Sequence, residues 1–507
     1  MDLWWVIRGA DAGEMRRRQW TPVAAAIVTL IASGVPARAV ASTSVQVTAS
    51  PGGVAGVAAA AGTRREIYVD PVNGRDSAGG GPATPVRTVA EAWRRVPQER
   101  TLAQPTWIQL RRGTYPEANT PHYWESRWGT AAAPLVINAV DGARTAVLRG
   151  DINAYDVRHL TLRGLAIDRA GDTFHCEKCG YVTLRGVRLN GRGAAHETVK
   201  VNQSHHLTIT GSDISGSYEN AIDFVAVQHA TITGNVIHHA DDWCAYVKGG
   251  SAYVNVRNNR IHHCGTGGFT AGQGTGFEYM VAPWLRYETY GVTVMGNVIH
   301  DTQGAGLGIN GGYNTVMAYN TLYRVGARSH TVEFVHGSRS CDGETARCAA
   351  NRRAGGWGGV GMDGQYIPSR HTYFLNNVIM NPAGYRSQWQ QVQLAGPVTP
   401  PAGSGVPAPS RVDTDLVIRG NVFSNGSVSM PTGLAGARDA AFLRDNAVNS
   451  LVPDLVNPAG GDFRPVPGGR LTKRAAAALP TMTWADAGVP AGAPVTMFAD
   501  HPIGALR

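Results

Sequence analysis

The sequence predicts an all-β fold built as a parallel β-solenoid, and its composition and an internal repeat carry this prediction. The 507 residues include 63 glycines, 43% are hydrophobic, only 16% are charged, and little of the chain has the period of a long helix. A turn followed by a short strand recurs, usually with a polar residue, often Asn, two positions before a terminal hydrophobic residue. These terminal residues are Ile167, Leu189, Ile214, Ile237, Ile261, Ile299, Leu322, Ile379 and Phe423.

Successive terminal residues are 22, 25, 23, 24, 38, 23, 57 and 44 positions apart. The shorter spacings fit one coil of three short strands and three bends, because stacked coils bury in one core what a single coil leaves exposed. The three longer spacings indicate loops between coils. Segments such as HLTITGSDI alternate apolar and polar residues, as strands with one inward face do. Asn at the bends suits left-handed turns, and stacked Asn side chains can hydrogen-bond between coils.

The N-terminal segment has the order of a secretory signal. From Met15 an arginine cluster precedes an apolar run over 22–35 and an Ala-Arg-Ala step. The mature protein is therefore expected to be secreted or periplasmic, with no membrane span. The expected segments are a signal peptide at 1–41 with an upstream extension, a linker at 42–65, the solenoid at 66–445, and a tail or cap at 446–507.

Order is expected to begin with a strand at 67–69, followed by an amphipathic helix at about 86–96 and a strand at 106–110. Val89, Ala92 and Trp93 share one face of this helix, which we interpret as an N-terminal cap of the solenoid.

Six cysteines fit an exported protein, although six allow fifteen pairings. Three pairs lie close in the sequence: Cys176 with Cys179, Cys244 with Cys264, and Cys341 with Cys348. Disulfides within these pairs are the natural choice in an oxidising compartment. A zinc site at the first pair is the alternative, but no second CxxC or HxxxH completes four ligands.

The formal net charge of +9 suits an acidic partner. The basic residues are scattered arginines rather than runs with interleaved aromatic residues, which disfavours nucleic acid. An anionic membrane surface and an acidic polysaccharide both fit the remaining charge pattern, and we expect the polysaccharide to be the partner of a monomeric protein.

The stretch YVDPVNGRD…GGGPATPVRTVAEAW…IQLRRGTY, followed by the coils, resembles the N-terminal region of pectate-lyase-like right-handed parallel β-helix proteins. The resemblance covers about residues 66–430 and implies a right-handed helix. It is specific for the fold and much less so for activity, because this superfamily includes lyases, hydrolases, epimerases and phage adhesins.

Polar residues 12–14 positions before the terminal hydrophobic residues, or on the corresponding strands, are predicted to stack along one outer wall. Successive coils lie about 4.8 Å apart, so such a row can contact successive sugars of an extended polymer. The predicted row is Lys200, Asp223, Lys248, Gln273, Asn310 and Glu333.

Asp241 and Asp242, six residues before Lys248, add a carboxylate pair that needs compensation by a metal or by lysine. The segment DDWCAYVKGG followed by CGTGG resembles polygalacturonases. This resemblance implies Asp242 as general acid, with Asp241 and Asp223 activating water. Trp243 and Thr266 depart from the polygalacturonase pattern, which puts hydrolysis in doubt.

The same cluster resembles calcium-dependent polysaccharide lyases. This resemblance implies calcium bound by Asp223, Asp241 and Asp242, with Lys248 abstracting the C5 proton of a uronate through a lowered pKa. We therefore expect a secreted lyase acting on an acidic polysaccharide. The alternatives are a glycoside hydrolase or C5-epimerase of the same fold and a non-catalytic carbohydrate-binding protein.

The insertion after Gln273 carries further residues suited to sugar stacking or carboxylate binding. They are Glu278, Trp284, Arg286 and Tyr287. Histidines at 238–239 and 262–263 fall at predicted bends and are interpreted as structural.

Overall fold

The computed structural model describes residues 64–358, 364–427, 429–480 and 503–505. Within these ranges, parallel strands stack as successive coils from Arg65–Val69 to Ala447–Val448. The coils contribute strands to three walls, so the predicted all-β solenoid is confirmed. The predicted signal peptide and all but the last two residues of the predicted linker lie outside the described residues.

The first wall is one parallel sheet. Its strands are Arg65–Val69, Thr106–Leu110, Leu135–Ala139, Leu160–Arg163, Gly180–Arg185, His205–Thr210, Gln228–Thr233, Ser251–Arg257, Thr289–Tyr290, Thr293–Met295, Gly312–Ala318, Arg370–Leu375 and Thr414–Arg419.

The second and third walls belong to one large sheet, because the long strands Arg188–Asn202 and Asp213–Val225 run through both. The second wall also holds Gly113–Tyr115, Ala146–Leu148, Ala166–Asp168, Val236–Ala240, Arg260–Cys264, Val298–Thr302, Thr321–Tyr323, Val378–Asn381, Val422–Asn425 and Ala447–Val448. The third wall also holds Trp124–Glu125, Ile152–Tyr155, Phe174–Glu177, Trp243–Lys248, Gly267–Ala271, Ala305–Asn310, Val332–Val335 and Val392–Leu394.

The terminal hydrophobic residues of the sequence repeat set the register of the second wall. Each pairs directly with the next, as Ile214 does with Ile237 and Leu322 with Ile379. All nine are fully buried. Burying an aliphatic side chain contributes about 1.5–3 kcal/mol, so a slip of one residue, which would expose the row, is strongly disfavoured.

Asparagines stack inside the bend between the first and second walls, as the sequence predicts. The stacked residues are Asn235, Asn259, Asn297, Asn320, Asn377, Asn421 and Asn446, and each Nδ2 donates to the Oδ1 of the next at 2.8–3.0 Å. We expected the stacked Asn itself to adopt the left-handed conformation. In the structure, the residue before it does so. Gly234 (φ 66°), Asn258 (φ 54°) and Gly296 (φ 65°) are examples.

Helices close both ends of the stack. The helix Val89–Arg94 is shorter than predicted, begins after Thr88, whose hydroxyl accepts from the Glu91 backbone N–H, and buries the predicted apolar face. At the other end, the helix Gly436–Asp445 packs Phe442 against Phe423, with ring centroids 5.1 Å apart. None of the helices in the described ranges has the length and apolar character needed to cross a bilayer.

The insertions after Gln273 and around Cys341 pack together at the edge of the third wall. They share the small sheet Gly274–Gly276, Gly337–Ser340 and Gln365–Ile367, and also contain the 3-10 helix Phe277–Tyr279 and the helix Thr345–Ala354. A fully buried ion pair between Arg339 and Glu288 ties them to the solenoid, because Glu288 also accepts from the Gly249 backbone N–H at 2.9 Å.

The remaining elements are short. They are the paired strands Arg100–Thr101 with Arg127–Trp128, the hairpin Leu455–Asn457 with Asp462–Pro465, and the 3-10 helices Glu117–Asn119 and Pro458–Gly460.

All six cysteines form disulfides within the three sequence-neighbour pairs, so the predicted local pairing is confirmed. Cys176 and Cys179 are bonded to each other, which removes the alternative zinc site. The bond between Cys244 and Cys264 joins two adjacent coils beneath the predicted catalytic strand.

Candidate active site

The outward face of the third wall carries a column of residues paired from coil to coil. The column is His175, Lys200, Asp223, Tyr246, Thr270, Gly308, Glu333 and Gln393. Of the predicted row, Lys200, Asp223 and Glu333 lie in it. Lys248 and Asn310 stand two residues further along their strands than Tyr246 and Gly308, so they occupy the same face in a second column.

Gln273 lies just beyond the end of its strand and reaches back to the second column. Its Oε1 accepts a hydrogen bond from Lys248 Nζ at 3.1 Å. The predicted row is therefore assembled on one wall, as two adjacent columns rather than one.

Lys200 is enclosed by carboxylates. Its Nζ lies 3.0 Å from both Glu197 Oε1 and Asp223 Oδ2. Burial of Lys200 opposes its charge, but the two carboxylates outweigh this and raise its pKa. Lys200 therefore stays protonated, and its charge is already matched within the protein.

The network around Glu197 extends to the next coil. His196 contacts Glu197 through Nδ1 and lies 3.1 Å from Glu219 Oε2 through Nε2. The hydrogen bond to Glu197 raises the pKa of His196. Burial raises the pKa of Asp172, and the charge of Glu197 adds to this effect. This part of the wall is an ion-paired platform that fixes Lys200.

Lys248 has a different environment. Its Nζ donates to Tyr246 Oη and to Gln273 Oε1, both at 3.1 Å, and lies 4.4 Å from the centroid of the Tyr246 ring. Among the described residues, no carboxylate oxygen lies within 4 Å of Nζ. Burial raises the pKa of Tyr246 well above 10, so its phenol remains protonated, and its oxygen also accepts from Asn220 Nδ2 at 3.1 Å.

The structure separates the predicted aspartate pair. Asp242 is largely enclosed beside Lys248 and Thr266, and burial raises its pKa although the Thr266 hydrogen bond and the charge of Lys248 oppose this. Asp241 is exposed and lines a different cavity, with His239 and His263. Both residues lie in the bend between the strands Val236–Ala240 and Trp243–Lys248, where the chain passes from the second wall to the third.

The predicted calcium ligands therefore do not converge. Within the described ranges, the groups of three or more ligating side chains whose ligand atoms lie within 4.8 Å of one another include none of Asp223, Asp241 and Asp242. Asp223 already uses one oxygen for Lys200. As placed, these three residues do not bring together the six to eight oxygen ligands that calcium takes, and calcium binding stays a prediction.

Glu333 forms the acidic end of the first column. Asn310 hydrogen-bonds to its carboxylate, and Asn310 Oδ1 accepts from Thr270 Oγ1 at 3.1 Å. Its carboxyl group reaches solvent but is otherwise enclosed by protein, and this desolvation raises the pKa of Glu333 to about 7. Trp243 lies over Gly308 close to Glu333, where any side chain on Gly308 would collide with the indole.

The residues predicted in the insertion make contacts that hold the insertion together, and two of them, Trp284 and Arg286, are also partly exposed. Glu278 and Tyr287 are buried, and Glu278 Oε1 accepts from the Asp342 backbone N–H at 2.6 Å. Arg286 donates to the carbonyls of Gly405 and Gly356, and Trp284 packs on the apolar core of the insertion. Tyr279, an aromatic residue of the same insertion that also suits sugar stacking, is exposed near Lys200.

A groove of about 760 Å³ lies on the first wall. Its lining includes threonines 161, 183, 208 and 231 and a stack of rings, but no Asp or Glu. The titratable groups of this groove include His159, His206 and His229, whereas the third wall carries the lysines and carboxylates described above.

Residues 172–342 match the family model described as the right handed beta helix region. The fold and this match define the described chain as a right-handed parallel β-helix protein. No curated protein matches the sequence.

Solved structures with a similar fold include the A-module of the mannuronan C-5 epimerase AlgE4 of Azotobacter vinelandii. It is 15% identical, with coverage of 68% of this chain and 91% of that chain and a TM-score of 0.42. A rhamnogalacturonan lyase is 13% identical, with coverage of 77% and 95% and a TM-score of 0.42. The pectate lyase Pel9A is 12% identical, with coverage of 88% and 96% and a TM-score of 0.41. These similarities concern the fold.

Proposed function

We propose that the third wall is the active site of a secreted lyase that cleaves a uronate-containing polysaccharide by β-elimination. The environment of Lys248 carries the proposal. Lys248 is one of four lysines in the chain, and a phenol and an amide hold it in place. No described carboxylate contacts Lys248 Nζ, so Lys248 is the lysine of this wall that can face a uronate, whereas two carboxylates occupy Lys200.

The elimination then needs few groups. Lys248 Nζ takes the proton from C5, the freed electron pair forms the C4–C5 double bond, and the bond between C4 and O4 breaks. The protonated lysine returns the proton to O4, directly or through the Tyr246 hydroxyl 3.1 Å away. Protein hydrogen bonds to the uronate carboxylate make the C5 proton more acidic.

Gln273, Asn310 and Glu333 are the groups that would meet this carboxylate. Lys248 occupies Gln273 Oε1, which leaves the Gln273 amide hydrogens to donate. Glu333, with its pKa near 7, is partly protonated at neutral pH and can donate as well. The uronate charge is then met without a metal ion. The three disulfides support secretion, because such bonds persist in oxidising compartments.

A glycoside hydrolase is the second candidate, and the raised pKa values of Glu333 and Asp242 favour it. A carboxyl group with a pKa near 7 is a suitable general acid for a glycosidic oxygen. Inverting hydrolysis also needs a second, ionised carboxylate about 6.5–9.5 Å from the first.

Incubation with a panel of uronate polymers tests the proposal. We expect ultraviolet absorbance from the conjugated double bond to rise in step with reducing ends, and to persist in a calcium chelator because the predicted calcium ligands do not converge. Reducing ends without absorbance would indicate the hydrolase, and exchange of the C5 hydrogen without cleavage would indicate an epimerase. Absence of all three signals on every polymer would overturn an enzymatic role for this wall.

The variant Glu333→Gln is expected to change the pH profile. If protonated Glu333 donates to the uronate, the wild-type rate falls as pH rises through about 7, because the raised pKa of Glu333 places loss of its proton there. Glutamine keeps a neutral donor at every pH. The fall in rate above about pH 7 should therefore disappear in the variant, while activity below about pH 6 is retained. Rates measured from about pH 5 to about pH 9 test this prediction. If the rate of the variant falls with rising pH as the wild-type rate does, Glu333 does not have this role.

A further inference from the structure

Pairs of adjacent histidines recur on successive coils of the second wall. His238 with His239 and His262 with His263 occupy the same position in neighbouring coils, because His238 pairs with His262 in the sheet. The second member of each pair has a left-handed backbone, with φ of 54° at His239 and 56° at His263. This conformation breaks the alternation of a strand and turns both rings of a pair to one side.

The four rings, called here the histidine quartet, form a two-by-two array. Corresponding rings stack between coils, with centroids 4.9 Å apart in both columns and interplanar angles of 9° and 2°. Within a pair the rings are nearly perpendicular and their Nδ1 atoms face each other, at 2.5 Å in the first pair and 2.7 Å in the second. The Nδ1 atoms of each pair therefore face each other, and the two pairs lie one above the other on adjacent coils.

One ring is already set for ligation through Nδ1. His238 Nε2 lies 3.2 Å from Asp213 Oδ1. An ionised carboxylate only accepts, so Nε2 carries the proton and Nδ1 presents a lone pair towards His239. This is the carboxylate–histidine arrangement that orients imidazole ligands in metal sites.

In the next coil, the corresponding histidine Nδ1 has a hydrogen-bond partner that is not a metal ion. There the pair is His300 and Asp301, and His300 Nδ1 donates to Asp301 Oδ2 at 2.7 Å. The aspartate supplies an acceptor without a proton. In the histidine pairs, two imidazole nitrogens meet instead, and either a shared proton or a metal ion must lie between them.

We propose that the histidine quartet binds one divalent transition-metal ion that prefers imidazole, with Zn²⁺ as the representative. The ligand nitrogens of His238, His239 and His262 all lie within 4.8 Å of one another. His239 and His263 are exposed, so small ring rotations bring the nitrogens to the bonding distance of about 2.1 Å.

The surroundings suit an ion that arrives from solvent. His239 and His263 line a cavity of about 400 Å³ together with Asp241 and Arg192. Asp213 contacts His238, and Arg260 donates to His300, which stacks on His262.

The site spans the same two coils as the disulfide between Cys244 and Cys264, and Cys264 directly follows His263. A bound ion would therefore be a second crosslink between these coils, on a wall other than the proposed active site. The role of the ion would be structural. The proposal of this metal site does not depend on the lyase proposal.

The untagged protein tests the site. We expect one equivalent of Zn²⁺ by isothermal titration calorimetry, ligand-field absorption with Co²⁺, and a higher melting temperature with added Zn²⁺, because an ion that binds only the folded state stabilises it. The double variant His239→Ala/His263→Ala should no longer bind the one equivalent of Zn²⁺. The variant Asp213→Asn should bind Zn²⁺ about 10- to 100-fold more weakly.

The double variant His205→Ala/His206→Ala is the matched control. This pair also has facing Nδ1 atoms, at 2.9 Å, but it stacks on Tyr181 and His229 rather than on a second histidine pair. It should bind Zn²⁺ as the wild type does. No Zn²⁺ equivalent in the wild type, or equal binding in the His239/His263 variant, would overturn the proposal and leave two proton-sharing pairs.

Discussion

Replacing Lys248 with alanine is expected to lower the turnover of the cleaved polymer by about 10²- to 10⁴-fold, the usual contribution of a general base. The substrate concentration at half-maximal rate should change much less, since the rest of the two columns remains. The initial rate of ultraviolet absorbance gives both quantities. The fold should tolerate the change, because the Lys248 side chain is partly exposed on the outer wall and its partners Tyr246 and Gln273 are neutral.

Two further variants separate the base from a simple cation. Lys248→Arg keeps the charge but supplies a guanidinium that does not give up its proton, so it should be as inactive as the alanine variant. Lys473→Ala removes an exposed lysine of the C-terminal segment and should leave the rate unchanged. Recovery of activity in the arginine variant would mean that Lys248 only binds the uronate and that another group takes the proton.

The repeat predicted the register of the second wall residue by residue, and the reason is burial. The terminal residues must all enter one core. Ile261 therefore pairs directly with Ile299 although 38 positions separate them, and Leu322 pairs directly with Ile379 across 57 positions. The extra residues leave the coil as loops without disturbing the stacking. Inward positions are thus readable from sequence because a slip of one residue would expose them.

Outward positions carry no such constraint, and there the prediction was right about the wall and wrong about the column. The offset of Lys248 from Asp223 is two residues, which preserves the face of the strand and costs no burial. The connection between the third and first walls also gains one residue in this coil, since Val225 pairs with Lys248 whereas Gln228 pairs with Ala252. Counting back from the terminal residue therefore cannot fix the column.

Other parts of the site depend on contacts between distant segments. Tyr246 stands two residues before Lys248, and the β-strand period could have marked it as a neighbour on the same face. The roles of Glu278 and Arg286 could not be found in this way, because they are set by the packing of two insertions that have no repeat. Asp241 and Asp242 are adjacent in the sequence, which suggested one shared site, but the bend that contains them places the two carboxyl groups in different surroundings.

The asparagine stack makes the largest stability prediction, because each member serves two coils. Asn297 Oδ1 accepts from both the backbone N–H and Nδ2 of Asn259, while Asn297 Nδ2 donates to Asn320 Oδ1 and to the Val256 carbonyl. All of these groups are buried, so water cannot replace the lost partners.

Asn297→Ala is therefore expected to lower the free energy of unfolding by about 3–5 kcal/mol, since each polar group left buried without a partner costs about 1–3 kcal/mol. Denaturant titration followed by circular dichroism measures the loss. Asn255→Ala is the control: Asn255 is partly exposed on the first wall of the same coil as Asn259, and its substitution should cost less than about 0.5 kcal/mol. Equal losses in the two variants would mean that the stack adds nothing beyond ordinary surface hydrogen bonds. A loss confined to Asn297→Ala would mean that the asparagines hold successive coils in register, and with them the two columns of the third wall.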